Sequence, residues 1–301
     1  FSVERAIPLF RILVDGTIDL PPELLAASGF TVVPQKVVVD GRELPDVELR
    51  GEAFSEVVCK ARTFPTTSSP SPYNFYRAYE ELYAAAPDAG ILALTISSGV
   101  SATYEHAYLA AEEFCASHPD AQIVVVDSKT GFVDLGLLAL FAGELRQKGA
   151  SLAKAAAELR EAVKRFHLFV YIDTLENLMR SGRIDRFHRN LAGLLQIKPI
   201  FLIRDGVFDL FRRVRGRERA LAAIAEEVVA RIDPGEKRIG IAYRDARAEA
   251  ERFVARLRDR LPQVEFLLTE MSPAIALHGG PGSIAVGFFG RYVVAPPGGE
   301  G

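Results

Sequence analysis

The hydrophobic pattern of the chain alternates continuous apolar runs with amphipathic stretches. The run RILVD at 11–15 has a continuous apolar centre and stops at Gly16, as in a strand covered on both faces. Pro21-Pro22-Glu23 then opens a helix whose end is Gly29, with proline in the first turn and glycine past the last. Across TVVPQKVVVDGRELPD, apolar and polar residues alternate around Asp40-Gly41, which predicts two short strands joined by a tight hairpin turn. A helix over 52–61, a polar loop over 65–72 and a helix over 73–86 follow. GILALTI and AQIVVVD are again continuous apolar runs, separated by the amphipathic SATYEHAYLAAEEFCASH and followed by the helical DLGLLALFAGELRQ. This order predicts a parallel sheet covered by helices.

The rhythm changes after Gly149. A helix over 151–165 starts at a Ser151 cap with no strand before it, which sets the expected boundary. The division is an N-terminal α/β domain over 1–149 and a C-terminal α/β domain over 150–301. Beyond the boundary come the strand FHLFVYID, a short helix and a second helix over 187–195. IKPIFLI with a partner strand across Asp205-Gly206 follows, then a helix over 217–231, the strands KRIGIAY and VEFLLTEM flanking another helix, and GSIAVGFFG. Hairpin and crossover together predict a mixed or antiparallel sheet in this half, with any ligand held between the two domains.

Composition narrows the function. The chain of 301 residues is 49% hydrophobic and 25% charged, with a formal net charge of −3. Such a balance gives no general attraction to nucleic acid or to anionic lipid, and no apolar run approaches the roughly 20 residues of a membrane span. The start FSVERAIPLF lacks a secretory pattern, so a cytoplasmic setting is the expectation. Cys59 and Cys115 stand apart, without C-x-x-C spacing or adjacent histidine, and are expected to be buried small side chains rather than a metal or redox pair.

Chemistry gathers at a few places. In LALTISSGVSAT a strand ends at Ile96, a turn follows at Ser97-Ser98-Gly99, and a helix is expected to start near Ser101. Hydroxyls and free backbone N–H groups there suit an anion, and they suit a simple cap and turn equally well. Thr66-Thr67-Ser68-Ser69 lies among prolines and offers uncharged donors, with Ser71 placed to cap the next helix. His278 borders Gly279-Gly280-Pro281-Gly282, where backbone and imidazole could both approach a ligand. Arg183 follows a helix end at Gly182 and suits a carboxylate or phosphate. Arg215 belongs to an arginine-rich stretch from 212 to 219 that could dock an acidic partner or simply be solvated. No G-x-G-x-x-G, Walker, H-E-x-x-H or calcium-loop pattern occurs, so no nucleotide, metal or other cofactor is called for. A serine hydrolase remains as an alternative, with Ser101 as nucleophile, Asp127 or Asp173 as acid and His278 as base, although Thr103 stands where its elbow needs a small residue.

Taken in order, Val14 to Leu20, Thr67 to Ser71, Ile96 to Tyr104, Leu175 to Ile184, Arg213 to Arg215, and Ser272-Pro273 leading to 278–282 resemble the DegV family of bacterial fatty-acid-binding proteins. The resemblance spans nearly the whole chain. It implies two α/β domains with a long-chain fatty acid buried between them, and no catalytic activity of the protein's own. Some members serve as the lipid-binding subunit of fatty acid kinase, presenting the carboxylate to a separate catalytic protein that makes acyl phosphate. Carried onto this chain, the resemblance implies ligand contacts at Thr67, Ser97, Ser98, Gly99, Arg183, His278 and Gly279, and kinase docking at Arg215. It implies no membrane insertion beyond transient contact for lipid exchange. The chain departs from the family pattern at Gly16, where a serine is usual, and at Ser69, where glutamine is common.

Overall fold

The computed structural model describes residues 9–49, 51–182, 187–188 and 198–291. The first two long apolar runs lie side by side in a four-stranded sheet of order Thr31–Val33, Phe10–Asp15, Gly90–Thr95, Ile123–Asp127, parallel throughout. Because side chains alternate across a strand, both faces of these runs must be covered. Ile12, Val14, Leu92 and Leu94 pack on helices Phe132–Gln147 and Leu152–Val163. Leu13, Ile91 and Ala93 pack on helices Pro72–Ala85 and Thr103–Ser117.

Helix Leu152–Val163 begins at its expected cap, with the Lys154 N–H donating to Ser151 Oγ at 3.3 Å. Its apolar stripe of Leu152, Ala155, Ala156, Leu159 and Ala162 fills the same core as Leu138 and Leu145. The chain therefore leaves the layers of the first sheet at Phe166, later than the change of rhythm at Gly149.

The second sheet has seven strands, in the order Glu265–Glu270, Arg238–Tyr243, Ile284–Phe289, Phe166–Tyr171, Lys198–Arg204, Val207–Val214, Phe187–His188. It is mixed: the outermost pairs are parallel and the inner ones antiparallel. Phe187–His188, expected to start a helix, is extended and pairs with Phe208 and Asp209; the rest of that expected helix lies outside the described residues. Helices Arg217–Arg231 and Arg247–Arg258 cover one face of this sheet, and helix Phe132–Gln147 covers part of the other. That helix thus lies between the two sheets. The approach is close enough that a Cβ on Gly240 would stand 2.6 Å from Val133 Cβ, and one on Gly136 would stand 2.7 Å from Leu20 Cδ2.

A small antiparallel sheet of Arg42–Pro45, Lys36–Val39 and Thr66–Ser68 completes the fold. Asp40 and Gly41 make its hairpin turn, both left-handed, with φ of 48° and 80°. The strand Thr66–Ser68 falls where a polar loop was expected, because backbone pairing with Val38, Val37 and Lys36 outweighs the lack of an apolar pattern. Cys59, expected to be buried, is exposed on helix Glu52–Lys60, while Cys115 is half-buried.

His167 supplies a test of the second core. It is 6% exposed and stacks on Phe288, ring centroids 5.4 Å apart. Burial, reinforced by the Arg231 charge, lowers its pKa from 6.5 to about 4. The unfolded chain takes up this proton near pH 6.5 and the folded chain resists it, so the contribution is complete above pH 6.5 and lost as pH falls to about 4. The loss is about 3 kcal/mol. Denaturant titrations across this window should show wild-type stability falling more steeply than that of His167→Gln, by about that amount.

Candidate ligand-binding site

A cavity of about 460 Å³ lies beside Phe132, the first residue of the helix held between the sheets. Most of its wall is apolar: Ile96 and Val100 from the first half, Val170, Ile172 and Phe208 from the mixed sheet, and Ala274 and Ile275 from helix Pro273–Gly279. Its volume is that of an ordinary small-molecule site.

Thr67, His278 and Gly279 reach this cavity together. Thr67 sits on the small sheet opposite Val37. His278 lies in the last turn of helix Pro273–Gly279, just before the glycine run it borders. The helix is anchored at its start by Asp19, whose Oδ1 accepts the Ser272 N–H at 2.7 Å. Thr67 Oγ1 and His278 Nε2 are 2.9 Å apart. With the imidazole proton on Nε2, the histidine donates to the threonine oxygen; with it on Nδ1, the threonine donates to the histidine. Ser68, Ser69 and Ser101 bring further hydroxyls to the same lining.

The serine turn is placed differently from expectation. Ser97 is fully buried; its hydroxyl donates to the Gly206 carbonyl at 2.7 Å and accepts the Gly99 N–H at 3.1 Å. Ser98 is exposed, its N–H donating to Asp127 Oδ1 at 3.2 Å and its Oγ accepting from Lys129 Nζ at 3.0 Å. A Cβ on Gly99 would lie 2.5 Å from the Gly206 carbonyl oxygen. Ser97, Ser98 and Gly99 therefore do not line the cavity; Ser97 and Gly99 seat the Asp205-Gly206 turn of the mixed sheet on the end of the parallel one. Hydroxyls at a strand end can face either way, and here a backbone carbonyl from the other half claims the buried one. Helix Thr103–Ser117 starts two residues after Ser101, whose Oγ accepts the Thr103 N–H at 3.3 Å and pairs with Thr103 Oγ1 at 2.8 Å.

Behind the cavity stands a carboxyl group that sequence reading did not single out. Asp15 Oδ1 accepts from the Thr17 N–H at 2.8 Å, from Thr17 Oγ1 at 2.5 Å and from Gln35 Nε2 at 3.2 Å, and its Oδ2 accepts the Ile96 N–H at 2.6 Å. Burial raises its pKa in spite of these bonds. Thr17 and Gln35 line the cavity directly. Gln35 lies in the two-residue link between strands Thr31–Val33 and Lys36–Val39, where nothing in the sequence marks it out.

The hydrolase arrangement does not assemble among the described residues. His278 Nε2 faces Thr67 rather than Ser101. Asp127 pairs with Lys129 Nζ at 2.7 Å, and Asp173 pairs with Lys198 at 2.9 Å and with the Tyr171 hydroxyl at 2.5 Å. Arg183 lies outside the described residues. Arg215 is exposed, at the end of strand Val207–Val214. No helix among the described residues is long and apolar enough to cross a membrane.

A helix-covered parallel sheet and a mixed sheet that share one buried helix, with a small third sheet and a largely apolar cavity lined also by hydroxyls and an imidazole, define an α/β protein with a ligand-sized site. The chain belongs to the DegV family, whose model, described as one of uncharacterised proteins, matches residues 9–291. A DegV domain-containing protein of Deinococcus radiodurans is 35% identical over 280 residues, covering 91% of this chain and 96% of that one. A solved DegV family protein from Thermus thermophilus, described by its fatty acid binding, is 32% identical with a TM-score of 0.76, covering 94% of this chain and 99% of that one. DegV from Bacillus subtilis, described as a fatty acid binding protein, is 26% identical with a TM-score of 0.83 and the same coverage.

The two serines can be separated by experiment. Ser97→Ala leaves the Gly206 carbonyl and the Gly99 N–H without their shared buried partner and should lower the unfolding free energy by about 1–3 kcal/mol. Ser98→Ala, on the surface, should stay within about 0.5 kcal/mol of wild type. Urea denaturation of both variants makes the comparison.

Proposed function

We propose that this chain binds a long-chain fatty acid, with the acyl chain in the cavity beside Phe132 and the carboxylate at Thr67 and His278, and presents that carboxylate to a separate kinase that converts it to acyl phosphate. The observation that carries the reading is the junction of an apolar cavity of about 460 Å³ with the Thr67–His278 pair. A fatty acid asks for that combination. Each buried methylene contributes about 0.8 kcal/mol, so a long chain supplies affinity without a formal ion pair at the head. Uncharged donors then fix the carboxylate's orientation while leaving it less neutralised than a guanidinium clamp would, which suits a group that must later act as a nucleophile. The fatty acid binding of the Thermus and Bacillus proteins supports the ligand class.

The kinase step is supported by the family resemblance and by the exposed arginines at 212, 213 and 215, which give an acidic partner something to steer toward. Nucleotide supply for such a kinase argues for a cytoplasmic setting.

Two expectations follow. Thr67→Ala should weaken binding of palmitate or oleate at least about tenfold, since a hydrogen bond to a charged group is worth about 1.5–3 kcal/mol, whereas Ser98→Ala should leave it unchanged; a fluorescence or calorimetric titration decides, and equal affinity in Thr67→Ala and wild type would move the head group elsewhere. Arg215→Ala should keep lipid affinity and slow acyl-phosphate formation by an added cognate kinase, most strongly at low salt, as measured by a coupled phosphorylation assay.

A further inference from the structure

Helix Pro273–Gly279 stands between two hollows. Ala274, Ile275, His278 and Gly279 line the cavity, while Ala276 and Leu277 line a second recess of about 370 Å³ on its other side. The short helix Glu176–Arg180 is divided in the same way: Leu178 reaches the cavity, and Asn177 and Arg180 reach the recess. Asn177 thus lies one residue from the cavity wall without lining it.

The last carbonyls of a helix have no partner within it. Here the Ala276 carbonyl accepts the Gly280 N–H at 3.0 Å, and the Gly279 carbonyl accepts from the Ser283 hydroxyl at 2.5 Å. The Leu277 carbonyl would take its bond from position 281, but Pro281 has no N–H to give. Asn177 Nδ2 donates to it instead, at 2.9 Å, from a hundred positions earlier in the chain. A carbonyl only accepts, so the contact also fixes which end of the amide faces the helix. Gly280 makes the approach possible: its φ is 73°, and a Cβ there would stand 2.9 Å from Asn177 Cγ.

The Leu277 carbonyl and the His278 N–H belong to one rigid peptide plane. A bond on that carbonyl therefore sets the direction in which the His278 side chain leaves the helix, and that side chain meets Thr67 Oγ1 at 2.9 Å. We infer that Asn177 is a positioning residue, which caps the helix at Leu277 and so holds the His278 imidazole against Thr67 without touching the ligand. Its effect on binding rests on the fatty-acid reading above and deepens it; its effect on the imidazole does not depend on that reading.

The test is a double-mutant cycle in palmitate affinity, measured by calorimetric titration of delipidated protein for wild type, Asn177→Leu, His278→Ala and the double variant. Asn177→Leu keeps the volume and removes the donor, and should weaken binding about three- to tenfold; in the His278→Ala background the same change should cost nothing. A loss of equal size in both backgrounds would overturn the inference, since the role would then be structural only, and so would unchanged affinity in a folded Asn177→Leu. Should that variant fail to fold, Asn177→Ala, whose gap water can fill from the recess, takes its place. Without any lipid, long-range proton–nitrogen spectra of the histidine rings should show the His278 signals moving in the variant and those of His118 staying put; unmoved His278 signals would overturn the inference whether or not palmitate binds. Failure of wild type to bind palmitate would sink the fatty-acid reading alone, and the ring signals would still decide the positioning.

Discussion

Burial of helix Phe132–Gln147 against both sheets is the constraint on which the rest of the molecule depends. Leu135, Leu138, Ala139 and Ala142 belong to the core of the parallel sheet, and Phe132 and Val133 to the core under the mixed sheet. A helix placed this way has almost no solvent face over its first turns, so its sequence must be apolar all round rather than striped. Burial of each large side chain is worth about 1.5–3 kcal/mol, and the two halves share that gain. The helix begins with Phe132 in a left-handed conformation, φ 59°, which a bulky residue adopts only when its surroundings compel it. Its carbonyl accepts the Asp19 N–H at 3.3 Å, its backbone bridges to Ile18, and its ring meets Phe208 edge-on at 5.9 Å. The same ring lines the cavity. The residue at which the halves are joined is thus also part of the wall that a ligand would touch.

Two buried carboxyl groups extend this joint into the polar part of the site. Asp15 closes the end of its own strand against Ile96 and holds Gln35, while Asp19 holds the first N–H of the helix that carries His278. Neither lines the cavity. Asp15 ends the first strand and Asp19 follows it by four residues, so one strand end and its loop fix both the amide of Gln35, beside the small sheet, and the imidazole on a helix from the far end of the chain. Removing either carboxyl would shift the lining without touching a ligand, an effect on positioning rather than on contact.

How much of this was legible depended on which force decided each element. Buried strands such as Gly90–Thr95 were plain because a continuous apolar run has few other uses, and the caps at Ser71 and Ser151 were plain because local hydrogen bonds decide them. The strand Thr66–Ser68 was hidden, since its pairing with Lys36–Val38 is a long-range contact that its own composition does not announce. Thr67 and His278 were legible as candidates, but their 2.9 Å pairing joins residues far apart in the chain. Ser97 and Ser98 illustrate the reverse case. Their chemistry suits an anion, yet Gly206 and Lys129 take up their hydroxyls through contacts that only the assembled fold creates.

The departures from the family pattern can now be weighed against each other. A Cβ on Gly16 would lie 2.6 Å from Asp46 Oδ1 and 2.7 Å from the Gln35 nitrogen, so the space of the usual serine is filled here by a buried aspartate. Gly16 itself does not reach the cavity, and its neighbour Thr17 does. The loss of a hydroxyl at Gly16 therefore alters the packing behind the site and leaves its lining intact. Ser69 is the opposite case: it lines the cavity, and its Oγ lies 3.3 Å from His106 Nδ1, which also contacts the Pro70 carbonyl at 2.7 Å. A glutamine there would extend into the cavity that Gln35 also lines. With a short side chain at 69, the long amide in the lining is that of Gln35, which is anchored on Asp15 from the link between two strands.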